Sequence, residues 1–352
     1  PAELELSEAE CLGIAIVLRM SFTLFCFHLF IFVIICARNS MAAAFHDGCW
    51  MFKGLLIVGG FAVQCYFGND FYMDGTLKVS RWISAIFLIY QALLMLISSY
   101  KINEQLVANV EKDSSCCSSA ILISFLVLVT SCNVFWIVRQ FMVFTCGYNV
   151  TIQIITVIGI IIMHGLVLLR SREDASVLTS AIASLYCLYL QWSALSSDSD
   201  ASCNANLYSD SISWMQIVFG MIFTGLSLFI ISGSTKAQKE ANLTSDAGAH
   251  LMEKEEDVEE RPDQEINGKT AHDTHTFAIS PATIFFQGLL ILSSMYYAML
   301  CTNWGNLVLE GQNKNLGSDL AYWLKLVCEW ITMTLYIFSL VAPFLFPDRE
   351  FN

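Results

Sequence analysis

Nine long apolar stretches, at 11–36, 50–67, 79–100, 118–142, 149–169, 175–196, 212–232, 277–300 and 320–345, dictate what this chain can fold into. A hydrocarbon core about 30 Å thick takes roughly 20 helical residues to cross. The run from Ile155 to Leu169 has His164 as its one clearly polar side chain, and the run from Ile217 to Ile231 carries no charge. Lipid offers no partner to an open backbone N–H or C=O, so spans of this kind are helical. A membrane barrel would instead show alternating segments of about ten residues, which the sequence lacks. The expected fold class is therefore all-α: a polytopic transmembrane helical bundle of about nine spans. The shortest span, 50–67, is interrupted by Gly54, Gly59 and Gly60.

Composition agrees, with 56% hydrophobic and only 14% charged residues. The net charge of −13 is concentrated in one place. Residues 233–276 hold eleven acids and five bases, which leaves 20 of the 31 acids and 13 of the 18 bases for the rest of the chain. That insert has almost no aromatic content and reads as a disordered loop between the seventh and eighth spans. The domain organisation expected is helices one to seven over 1–232, the acidic loop over 233–276, and the last two helices with a short tail over 277–352. No basic patch suggests nucleic acid as a partner.

Loop cations set the orientation. Arg38, Lys101, Lys112, Arg170, Arg172, five cations in the insert and Arg349 fall on one side, against Lys78, Arg81, Arg139 and Lys314 on the other. The side with more cations is expected to be cytoplasmic, with the C-terminus inside and Pro1 outside. The sequon at Asn149 then lies outside against a span, and the one at Asn242 lies inside. The chain is read as a multi-pass integral membrane protein of the plasma membrane or an endomembrane.

Thirteen cysteines show no CxxC spacing, so no metal or other cofactor is expected. Most lie inside spans, where a free cysteine serves as a small apolar residue. Cys146 and Cys203 sit in loops on the side read as external, where a disulfide between them is the expectation. Cys116 and Cys117 at a membrane edge suit either acylation or simple packing.

Ionisable groups within spans are expensive and therefore informative. Arg19 lies inside the first span, Lys53 opens the second, and Lys325 and Glu329 stand one turn apart on the last, a spacing that allows them to pair. In the sixth span Thr179, Ala183, Cys187 and Gln191 repeat every fourth residue, with Ser176, Ser180 and Ser184 as a second row. Small and hydroxyl residues at this spacing allow either close helix packing or the lining of a hydrophilic groove. The groove candidates are Arg19, Ser180, Ser184, Gln191, Lys325 and Glu329. No GxSxG, HExxH or P-loop occurs, and no catalytic residue is expected.

Several stretches together resemble the serine incorporator (Serinc/TMS) family. They are Val17–Phe22 (VLRMSF), Phe45–Lys53 (FHDGCWMFK), Ile102–Glu104, Leu185–Ser196 (LYCLYLQWSALS), Ser202–Asn204, Cys301–Trp304 (CTNW), Trp323–Lys325, Leu340–Pro343 (LVAP) and Asp348–Phe351 (DREF). They run in order over nearly the whole chain. The resemblance implies a fold of about ten spans, two bundles held by a long crossing helix, and a lipid-accessible groove. The chain is then expected to lack the family's first span, by truncation or as a shortened homologue. Gln287 and Glu329 depart from the family pattern, which has a histidine and a small residue there. The implied activity is phospholipid handling: non-ATP-driven scrambling, or support of serine incorporation into phosphatidylserine and sphingolipids. The partners expected are membrane phospholipids, with a homo-oligomer or other membrane proteins left open. A structural or lipid-binding subunit of a larger complex is the second reading, and a secondary transporter of a small solute the third.

Overall fold

A computed structural model describes residues 8–113, 116–169, 176–198, 200, 203–204, 214–233, 279–305 and 314–346. The acidic insert beyond Gly233, the Cys116 side chain, Arg170, Arg172 and the Asp348–Phe351 motif lie outside the described residues. Within them the chain is helical, with no strand. Its elements are α1 (Glu8–Ile35), α2 (Ser40–Asp47), α3 (Trp50–Gln64), α4 (Leu77–Asp113), α5 (Cys116–Val143), α6 (Gly147–Leu168), α7 (Val177–Leu195), α8 (Trp214–Gly233), α9 (Pro281–Cys301) and α10 (Lys314–Leu345). Eight of these helices are long and apolar enough to cross a membrane, and α3 is a shorter apolar helix. The nine apolar runs thus appear as eight full-length helices and one short one.

Two compact units share these helices. Unit 1 is Pro1–Phe22, Phe67–Ser227 and Leu292–Asn352; unit 2 is Thr23–Tyr66 and Leu228–Ile291. In unit 2, Ile31, Ile35, Ala42 and Ile279 form the core. The side chain of Asn39 accepts from Ala42 N at 2.7 Å and starts α2, as a short polar residue does at a helix N-cap. Lys53 is buried, donates to His46 O at 2.6 Å, and lies 4.5 Å from the Trp50 ring centroid. The charged head therefore leaves the apolar stretch by folding back onto α2.

Unit 1 is built around α7. Every residue of that helix is buried except Val177 and Leu185. A capping box fixes its start: Ser176 Oγ accepts from Thr179 N at 3.2 Å, and Thr179 Oγ1 accepts from Ser176 N at 3.1 Å. Two amides on α5 then lock the register, Asn133 donating to Ala181 O at 2.8 Å and Gln140 to Leu188 O at 3.1 Å. Both pairs are 48 residues apart in sequence, so α5 and α7 run parallel. A disulfide joins Cys146, just before α6, to Cys203, beyond the end of α7.

Several of the cations that set the expected orientation lie within helices rather than loops: Lys78, Arg81, Lys101 and Lys112 in α4 and Arg139 in α5. Of these, Arg81 is 6% exposed and donates to Trp304 O at 3.1 Å. The helix of the third apolar run extends to Asp113, well past residue 100. The charged extension from Lys101 continues the helix because Ile102 and Leu106 still pack on the core of unit 1.

Close approach of α6 to α10 requires a glycine. A Cβ on Gly159 would lie 1.8 Å from Met333 Sδ, and Met333 is itself a buried core residue. Gly159→Ala is therefore expected to lower stability by about 1–2 kcal/mol, measured as a fall in the thermal midpoint in detergent. Met333→Ala should cost less in that background than in the wild type.

Candidate functional site

Polar side chains in unit 1 stack along α7 in three clusters. At one end, Lys325 on α10 donates to Ser197 Oγ at 2.7 Å and to Ser193 O at 3.0 Å. Beside it, Asp198 accepts from Tyr148 and Asn149, and Tyr322 donates to Asn149 Oδ1 at 2.8 Å. Asn204 closes this end by donating to Asp198 O and Ser196 O.

Half-way along, Gln191 Nε2 donates to Thr156 Oγ1 at 2.6 Å, and Thr156 lies 2.6 Å from Glu329 Oε1. The second oxygen of Glu329 is buried without a hydrogen-bond partner. At the other end, Tyr336 Oη lies 3.0 Å from Thr179 Oγ1 and 2.9 Å from Ser180 Oγ. Ser176 Oγ donates to Asn103 Oδ1 at 2.6 Å, and Tyr100 Oη lies 3.3 Å from Ser339 Oγ. From Ser176 to Ser197 the helical rise is roughly 32 Å, the thickness of a hydrocarbon core. The polar groups therefore extend over a full membrane crossing while α7 stays inside the bundle.

Helix periodicity explains how the column forms. Asn149, Gln153 and Thr156 lie on one face of α6, all buried. Tyr322, Lys325, Glu329 and Tyr336 follow intervals of three, four and seven on α10, which keep them on one face. Each of these faces looks onto α7.

The six groove candidates divide five to one. Ser180, Ser184, Gln191, Lys325 and Glu329 are all at most 2% exposed, so here they fill the interior and line no open furrow. Arg19 belongs elsewhere in unit 1, where it donates to Asn69 Oδ1 at 2.8 Å and to Phe67 O at 3.3 Å and stacks over Tyr72. The expected pairing of Lys325 with Glu329 does not form. Spacing by one turn puts them on one face, but Ser193 and Ser197 draw the amine to α7 while Thr156 draws the carboxyl to α6. Thr156, Asn149, Tyr322 and Tyr336 are members that the sequence reading missed. A threonine or tyrosine in an apolar run gives little signal by itself; the heptad step from Asn149 to Thr156 was the available one.

In unit 2, Gln287 Nε2 lies 2.9 Å from His28 Nδ1 and donates to His28 O at 3.2 Å. The Gln287 amide thus partners both the ring nitrogen and the backbone carbonyl of His28. Among the described residues, no group of three or more His, Cys, Asp or Glu side chains could hold a metal ion.

Comparison with known proteins bears on what such a column serves. Residues 4–349 match the family described as "Serine incorporator (Serinc)". The chain is 25% identical over 372 residues to a probable serine incorporator of Nematostella vectensis, covering 97% of this chain and 79% of the relative. It is 25% identical over 379 residues to serine incorporator 2 of Bos taurus, with 97% and 80% covered. Membrane protein TMS1 of Saccharomyces cerevisiae is 25% identical over 402 residues, with 97% and 82% covered.

Removing the Tyr336 hydroxyl tests whether the column contributes to the fold. Tyr336→Phe is expected to lose about 0.6–1.5 kcal/mol, read as a lower thermal midpoint. Thr334→Val, at an exposed position on the same helix, should leave the midpoint unchanged.

Proposed function

The chain belongs to the serine incorporator family, and from that premise we propose that this multi-pass membrane protein handles phospholipids, letting their headgroups cross the bilayer without nucleotide hydrolysis. The observation that carries the reading is the polar column along α7, which extends over a membrane thickness between Ser176 and Ser197. A headgroup crossing hydrocarbon needs polar partners at every depth, because an unsolvated polar group in lipid costs several kcal/mol. The column supplies hydroxyls, amides, an amine and a carboxyl at successive depths. Its members bond to one another in the closed bundle. If α10 draws away from α6 and α7, the same groups become free to exchange those bonds for a headgroup. No nucleotide site is needed for a downhill exchange between leaflets.

The relatives in Nematostella vectensis and Bos taurus are named for serine incorporation. For this chain the corresponding role is support of serine lipid synthesis, by moving or presenting the lipid that receives or carries serine. The burial of five of the six groove candidates favours one second reading, a structural or lipid-binding subunit whose polar column is glue between helices.

Reconstitution into liposomes that carry a fluorescent phospholipid separates these readings. Dithionite should bleach nearly all of the probe in vesicles that contain the protein, against only the outer-leaflet half in empty ones. Bleaching that stops at the outer half in both, with other membrane proteins co-purifying in fixed proportion, would support the subunit reading instead.

A further inference from the structure

Among the described residues of unit 1, two cations are buried without a carboxylate partner, and both contact Trp304. Arg81, on α4, gives its Nε to Trp304 O at 3.1 Å, while its Nη2 is buried and has no hydrogen-bond partner. Lys325, on α10, is 1% exposed, and its Nζ lies 5.1 Å from the Trp304 ring centroid. Its hydrogen-bond acceptors, Ser193 O and Ser197 Oγ, are both neutral. The acids close to Lys325 and its partners in sequence are committed elsewhere. Asp198, next to Ser197, accepts from Tyr148 and Asn149, and Glu329, one turn beyond Lys325, is held by Thr156.

Burying one unbalanced cation at membrane depth is expensive, and burying two against the same residue is more so. An orphaned guanidinium N–H adds a further cost. A single anion would offset all three. Arginine's planar fork matches the oxygens of phosphate or carboxylate, and charge-assisted bonds of this kind are the strong ones. The residue preceding Trp304 in the chain carries a further unmatched group. Asn303 and Trp304 both take positive φ, 46° and 59°, and the Asn303 side-chain oxygen is buried without a partner. Amide orientation is assigned from the hydrogen-bond network, so the Asn303 amide turned over would offer an N–H in place of that oxygen.

We infer that Arg81, Lys325 and Asn303, gathered at Trp304, form a binding site for an oxyanion of phosphate type, either the phosphodiester of a lipid headgroup or a free phosphate. The site deepens the lipid reading by naming the headgroup chemistry that the column end accepts, and it rests on that reading for its biological meaning only. Binding itself is independent of transport.

The test uses the full chain in a neutral detergent. Thermal unfolding is followed with added inorganic phosphate, with phosphatidylglycerol, and with chloride at matched ionic strength. The oxyanion should raise the midpoint where chloride does not. Arg81→Gln and Lys325→Gln should each weaken the apparent affinity by at least about tenfold. A response to phosphate and lipid alike assigns a small-oxyanion site; a response to phosphatidylglycerol alone assigns a headgroup site. Native mass spectrometry of the wild type needs no variant and should show the ligand retained. No midpoint shift beyond chloride together with no retained ligand overturns the site, as does an equal shift in both folded glutamine variants. Either result leaves lipid passage to stand or fall on its own liposome assay.

Discussion

The packing of unit 1 follows from the need to satisfy the polar groups of a helix that its neighbours enclose almost completely. The α7 helix carries serines, threonine, tyrosines and a glutamine on several faces, and its neighbours answer most of them, Ser184 Oγ being buried without a hydrogen-bond partner. Gln91 on α4 accepts from Tyr186 at 3.1 Å and donates to Thr224 on α8 at 3.0 Å. The amides of α5 reach the α7 backbone, α6 and α10 answer Gln191, Ser180 and Thr179, and Tyr189 donates to Gln216 O on α8 at 3.5 Å. In hydrocarbon such bonds stand in for the missing solvent, so α7 fixes the position of its neighbours.

A helix held this way is both a structural axis and a reservoir of polar contacts. Each hydrogen bond within the column is worth little by itself, about 0.6 kcal/mol on average in membranes. Exchange for another polar partner of equal quality is therefore nearly neutral in free energy. That property is what the proposed function requires: an interior that opens to a headgroup and reseals without an external energy source. The unbalanced Arg81 and Lys325 give one end of the column a preference for negative charge.

Much of this fold was legible in the sequence, and the reasons differ by element. Apolar length identified the spans, because nothing else in a chain of this composition can cross lipid. Alternation of small and hydroxyl residues marked α7, but spacing alone could not separate close packing from a groove; burial decides for packing in this conformation. The Lys325 and Glu329 spacing was visible, whereas the choice of partner depended on Ser193, Ser197 and Thr156, which reach them only through tertiary packing. Arg81 falls inside the 79–100 run, but its burial against Trp304 depends on tertiary packing that the run does not reveal. Asn133 and Gln140 stood seven residues apart in an apolar run, a pattern that could have placed α5 against another helix before any coordinates.

The account turns on separation of α10 from α6 and α7. Gly159→Cys with Met333→Cys places two thiols where the helices make their closest approach, so oxidation would tie α6 to α10 across the column. Lipid scrambling by this double variant should stop when the bridge forms and return on reduction. Undiminished scrambling in a fully bridged sample would show that the column stays shut while lipid crosses, and would contradict the account.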